Sequence, residues 1–124
     1  MNKTIVLTEE ELNMPEFLKF TDNTDVEFKI LPDIKEDGVN MTFPVEILSE
    51  EHKGKIHLLR INTDFKGLWI PFLKAFFKDE DLKVGISLSQ LVMKFGKAKA
   101  KTSAKGYSNL GSFEELKEKA DIPL

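Results

Sequence analysis

Between Lys94 and Lys105 the chain carries five lysines and no acid, and Lys97, Lys99 and Lys101 fall at every second position. Lysine is a point charge without arginine's planar fork, so it suits contacts to phosphates better than the reading of base edges. On a strand, alternate residues share one face and lie about 6.6–6.8 Å apart. Three ammonium groups at that spacing match the charge repeat of a nucleic-acid backbone, and Lys94 and Lys105 extend the strip at either end. Phe95 shares the lysine face, and Tyr107, the only tyrosine, stands across the following turn. Both are rings on which a base could stack. Arg60, the single arginine, and His57 lie on another apolar segment from which either could reach a groove or fill a structural role. The competing reading of the lysines is a solvated, solubilising face.

Composition narrows the chemistry. The 124 residues carry a formal charge of −3, and with five of eighteen basic residues in one short run, the rest of the chain is strongly acidic. Any polyanion binding would therefore be local. With no cysteine, thiolate metal sites and disulfides are excluded. There are two histidines and no glycine-rich phosphate loop or histidine metal spacing. The acidic clusters lie at polar segment ends, so no enzymatic activity and no cofactor are expected. No apolar run approaches the length of a membrane span, and the expectation is a cytoplasmic protein.

The elements that would hold these residues can be read from periodicity. Thr8 and Glu11 have the spacing of a capping box, which predicts a short N-terminal helix stopped at Met14-Pro15. Residues 24–31 alternate, with Val26, Phe28 and Ile30 on one face. Residues 32–38 are turn material. Residues 39–48 form a second strand with Pro44 inside it, which implies a bulge or an edge. Residues 56–62 are apolar enough on both faces for a central strand. The period then changes to that of a helix from Thr63 to about Phe77, with Phe65, Leu68, Trp69, Phe72, Leu73, Phe76 and Phe77 at three- and four-residue spacings and Trp69 read into the core. Gly67 and Pro71 disturb it. Residues 78–83 are polar and exposed, and Ser87 or Ser89 opens a helical turn. Residues 94–102 then read as a strand, although alanine and lysine would also suit a helix. Ser103–Gly106 forms a turn, residues 107–113 return, and residues 113–120 have the composition of a C-terminal helix.

Three strands, a helix and two strands resemble the element order of the OB-fold, a five-stranded Greek-key barrel. The expected architecture is mainly β, with the long helix between strands three and four and short helices at both termini. The barrel would occupy residues 1–113 and an acidic helix or tail residues 114–124. The ending Asp121-Ile122-Pro123-Leu124 resembles the tip of bacterial and phage single-stranded DNA-binding proteins, in which an acidic run precedes Ile-Pro-Phe. Here Leu124 stands in place of the aromatic residue, and only Asp121 directly precedes Ile122.

That resemblance implies a phage-type protein that binds single-stranded DNA without sequence preference and protects strands in replication or recombination. Its binding residues would be Lys94, Phe95, Lys97, Lys99, Lys101, Lys105, Tyr107 and Arg60. Its tail, Asp121–Leu124, would dock replication or recombination proteins, and a homodimer is compatible with it. The alternative is a protein-interaction module, or an inhibitor of a replication protein, acting through the acidic surface and the tail.

Overall fold

The computed structural model describes residues 4–8 and 15–116. Six antiparallel strands form one mainly β, barrel-like sheet: β1 (Asp25–Ile30), β2 (Lys35–Asp37), β3 (Asn40–Ile47), β4 (Ile56–Asn62), β5 (Phe95–Thr102) and β6 (Ser108–Leu116). Helix α1 (Lys66–Phe76) and the short α2 (Asp79–Val84) lie between β4 and β5, followed by a 3-10 turn at Leu88–Leu91. None of these helices is long and apolar enough to cross a membrane.

The pairing follows from alternation. β3 carries Met41, Phe43, Val45 and Ile47 on its inner face, all buried. Along one edge it pairs with β4, from Asn40↔Asn62 to Glu46↔Ile56. Its other edge is shared: Asn40–Thr42 pair with β2 and Val45–Ile47 with β1. Pro44 stands where that neighbour changes. A strand residue points its N–H and C=O to the same edge, and the Pro44 carbonyl accepts from Leu31 N–H in the connection between β1 and β2. The donor that proline lacks therefore falls beside a connection instead of a ladder rung, which is how β3 tolerates it. The same return of the chain to β3 makes β2, a sixth strand where the sequence predicted only a turn.

β1 continues the sheet to β5 and β5 continues it to β6. Between Lys97 and Lys99 the β5–β6 register slips by one residue, and Ser112 adopts a positive φ of 54°. This bulge lets Leu110 and Phe113, three apart, both face inward. The C-terminal helix expected from residue 113 is accordingly corrected, because residues 113–116 complete β6. Cross-strand ion pairs hold them there: Glu115 with Lys94 at 3.2 Å and Glu114 with Lys97 at 3.8 Å. The tail from residue 117 and the helix expected after Thr8 fall outside the described residues.

α1 begins later than expected. Thr63 donates both its N–H and its Oγ–H to the Val39 carbonyl, closing the β3–β4 ladder, so the helix starts after Phe65 with no side-chain cap. Pro71 sits inside it. The carbonyl it leaves unpaired belongs to Gly67, and both residues are exposed to water. Residues 79–84 form α2, with Asp79, Glu80 and Asp81 in its first turn, where the helix dipole favours acids. Ser87 and Gln90 make a reciprocal capping box for the 3-10 turn.

The core is aromatic and centred on Phe72, which is fully buried. Its ring lies 4.9 Å from Phe113, 5.1 Å from Phe43 and 5.3 Å from Phe76, centre to centre. Trp69 stacks at 5.9 Å on one side of it, as its expected core role requires. On β5 the inward residues are Gly96, Ala98 and Ala100. The missing side chain at Gly96 leaves room for the Phe28 and Phe76 rings over β5. A Cβ at Gly96 would lie 2.7–2.9 Å from those rings. Gly96→Ala is therefore expected to lower stability by about 1–3 kcal/mol, read from urea midpoints. Gly111→Ala, whose Cβ would meet only Leu68 at 3.9 Å, should change it little.

Candidate nucleic-acid interface

The lysines of β5 alternate as expected, with Phe95, Lys97, Lys99 and Lys101 facing away from the core. Their neighbours decide what they can do. Lys97 stands directly opposite Glu27 on β1 and Glu114 on β6, and Lys99 opposite Asp25. Lys94 is paired with Glu115 near the end of α1. Phe95 is half-buried, with the Lys29 ammonium 5.9 Å from its ring centre. Most of the ladder is thus one row of a checkerboard whose adjacent rows are acidic. Opposite charges facing each other across strands hold a sheet together, and they also cancel the field a phosphate would feel.

Lys101 and Tyr107 sit elsewhere. The β5–β6 turn, closed by Ser103 N–H to the Tyr107 carbonyl and by Gly106 at φ 87°, carries both toward the outer end of β4. There they line a groove of about 830 Å3 together with Arg60. Lys105 occupies the exposed turn itself. The structure therefore brings Arg60, Lys101 and Tyr107 together and leaves Lys94, Phe95, Lys97 and Lys99 on other surfaces. The tail, Asp121–Leu124, lies outside the described residues.

The groove exists because β4 and β6 do not pair along their facing edges. The segment Pro15–Thr24 runs between them. Glu16 N–H donates to the Ile56 carbonyl and the Glu16 carbonyl accepts from Leu58 N–H, one parallel rung on β4. Leu18 N–H then donates to His57 Nδ1 at 2.9 Å. Phe20 N–H donates to Ser108 Oγ at 2.7 Å, which anchors the segment on β6. Leu18 and Phe20 point inward and are buried, and Phe17 and Lys19 point outward into the groove. His57 is buried between them, edge-on to Phe20. Burial, and secondarily the charge of His52, push its pKa down to about 4, so it is neutral near pH 7.

Phe17, Phe65 and Tyr107 are 60%, 61% and 64% exposed, against the nearly complete burial of most other rings. All three line this groove, as do Lys19, Arg60 and Lys101. Among the described residues no carboxylate lines it, in a chain with twenty-one acids. Asn40, Asn62 and Asn109 supply amides along the wall. Past Phe17, Leu58 and Arg60 a second groove of about 750 Å3 continues over the outer face of β3 and β4, floored by Pro44, Ile56 and Leu58. This explains why β4 is apolar on both faces although it is not a central strand. Phe17, Lys19 and Phe65 were not singled out by sequence reasoning. The apolar residues Leu18 and Phe20, two apart, were the available signal that Phe17 and Lys19 share the opposite face, whereas Phe65 fits the helix period that hides it.

No family model, curated protein or solved structure matches this chain.

The checkerboard makes a prediction about stability. Lys97→Glu sets three acids side by side and should cost about 0.5–1 kcal/mol, less at high salt. Adding Glu114→Lys should recover most of the loss. A urea-denaturation double-mutant cycle at low and high salt measures both.

Proposed function

We propose that this chain binds single-stranded DNA without strong sequence preference in the groove between β4 and the β5–β6 hairpin. The observation that carries the reading is the groove's lining: three exposed rings and three cations with no carboxylate among the described residues. Single strands are held by cations along the phosphates and by rings under the bases. Lys19, Arg60 and Lys101 serve the first role, and Phe17, Phe65 and Tyr107 the second.

We also read the fold as an OB-type barrel. The pairings β1–β3–β4 and β1–β5–β6, with a helix between β4 and β5, support it. In this reading β1 and β2 are one interrupted first strand, and residues 15–20 bridge the third and fifth strands where a closed barrel would pair them. OB-folds hold oligonucleotides on the face of strands two and three and on the loops joining strands one to two and four to five. Here those are β3, β4, the turn at Gly38 and the turn at residues 103–107. The Asp121–Leu124 ending, by its resemblance to tails that dock replication proteins, supports a role in protecting strands during replication or recombination.

Fluorescence anisotropy with labelled oligo-dT tests the reading. Binding should fall with salt at a log–log slope of about −2 to −3, from three or four phosphate contacts. Tyr107→Ala, Phe65→Ala or Phe17→Ala should each weaken it about five- to hundredfold. Joint Lys97→Glu and Lys99→Glu should weaken it far less than Arg60→Glu. No binding of single strands at low salt, or duplex bound as tightly, would end the proposal.

A further inference from the structure

The segment that carries Phe17 and Lys19 crosses from β4 to β6, and at the crossing a side chain takes the place of a backbone rung. After the Glu16 rung, a continuing parallel ladder would pair Leu18 N–H with the Leu58 carbonyl. His57 Nδ1 accepts that N–H instead, and two residues later the segment is bonded to Ser108 on β6. We propose that His57 is the positioning residue of the binding groove: its neutral ring, by accepting the Leu18 amide, holds Phe17 and Lys19 on the groove wall, and protonating it releases both. The inference rests on the reading of this groove as the single-strand site.

The chemistry is one of acceptor against donor. An Nδ1 that accepts has its proton on Nε2. When a proton from solvent binds Nδ1, that atom becomes a donor facing the Leu18 N–H, and the bond is lost. The ionisable groups on the elements around His57 are Glu16, Lys19 and Asp22 on the segment and Glu50, Glu51, His52, Lys53 and Lys55 on the β3–β4 connection. Val45 opposite it on β3 and Ser108 on β6 carry no charge. Glu51 is engaged with the Thr21 N–H and Oγ–H. His52 bonds the Lys19 carbonyl, an acceptor, so its ring donates there and protonation keeps the bond. Of the two histidines, only His57 loses its partner when its ring is protonated.

The sign follows from linkage. Released, His57 titrates near the ordinary 6.5, whereas latched it titrates near 4, so release takes up a proton between those values. The latch is at full strength above pH 6.5 and is lost as pH falls toward 4. Those two values weaken the latched-to-released ratio about 30-fold between pH 7.5 and 5. Simple charge predicts the opposite trend for binding, because positive charge gained on acidification would draw a polyanion more strongly. The direction of the pH effect therefore separates the two.

The experiment measures oligo-dT affinity at pH 7.5 and 5.0, at fixed ionic strength, for wild type, His57→Asn and His57→Leu. Asparagine sets a non-titrating acceptor near the position of Nδ1, and leucine sets none. Wild type should lose about fivefold or more in affinity at pH 5.0, from the stacking and phosphate contacts of Phe17 and Lys19. His57→Asn should bind as wild type does at pH 7.5 and change little with pH, and His57→Leu should bind weakly at both. Unchanged or tighter wild-type binding at pH 5.0, or an equal loss in His57→Asn, would overturn the proposal. In case the variants fail to fold, 1H–15N spectra of the wild-type protein without DNA give a second reading. The Leu18 and Phe20 amides should move together as pH falls below 6 while those of Phe43 and Ile61 hold still. A Leu18 amide that does not move down to pH 4 would overturn the latch. Wild type that binds no oligonucleotide at pH 7.5 would instead overturn the binding reading, with these spectra still deciding whether His57 latches the segment.

Discussion

β4 and β6 each end the sheet with backbone donors and acceptors that find no strand partner along their facing edges. Buried groups of this kind must be paired, and the segment Pro15–Thr24 does the pairing. It contributes one parallel rung to β4, a side-chain bond to His57, another to Ser108, and finally the β5 ladder through Asn23 and Thr24. α1 packs against β6 and β4 from the other end, with Phe72 and Phe76 inserted between them and the remaining strands. Because the gap is spanned by a thin segment instead of a ladder, a groove remains along it. The groove, the exposed rings on its walls and the buried histidine beneath it all follow from that one unpaired junction.

Charge is organised by the same architecture. Where β1, β5 and β6 pair fully, acids and lysines from separate stretches of the chain meet across strands and neutralise one another. At the junction no third strand supplies carboxylates, so Lys19, Arg60 and Lys101 face the groove without acidic neighbours on its lining. An acidic protein can in this way present one cationic, ring-lined channel. The density of lysine along a single strand is a poor guide to it, because what matters is which residues the neighbouring strands set opposite.

The inner faces of β1, β3 and β5 were legible because two-residue alternation leaves a plain mark: Val26, Phe28 and Ile30, then Met41 to Ile47, then Ala98 and Ala100. The long helix and the core place of Trp69 were legible for the same reason at a different period. The partners of the lysines were not, since Asp25 and Glu27 reach Lys99 and Lys97 through register, which composition does not encode. Residues 113–116 were read into a helix from their composition, which carries no mark of the bulge at Ser112 that keeps Leu110 and Phe113, three apart, on one face of a strand. Arg60, Lys101 and Tyr107 were legible as chemistry. Their companions Phe17, Lys19 and Phe65 come from two other segments, joined to them only by the fold.

In the proposed binding mode, single strands lie between β4 and the β5–β6 hairpin and not across the lysine ladder. Titrating a short oligo-dT into the 15N-labelled protein and following every backbone amide tests this most directly. The shifts should concentrate at Phe17–Lys19, Arg60–Asn62, Phe65 and Tyr107–Asn109, with Glu27, Lys97 and Lys99 left in place. Shifts centred on Lys97 and Lys99, with the groove residues unmoved, would contradict it.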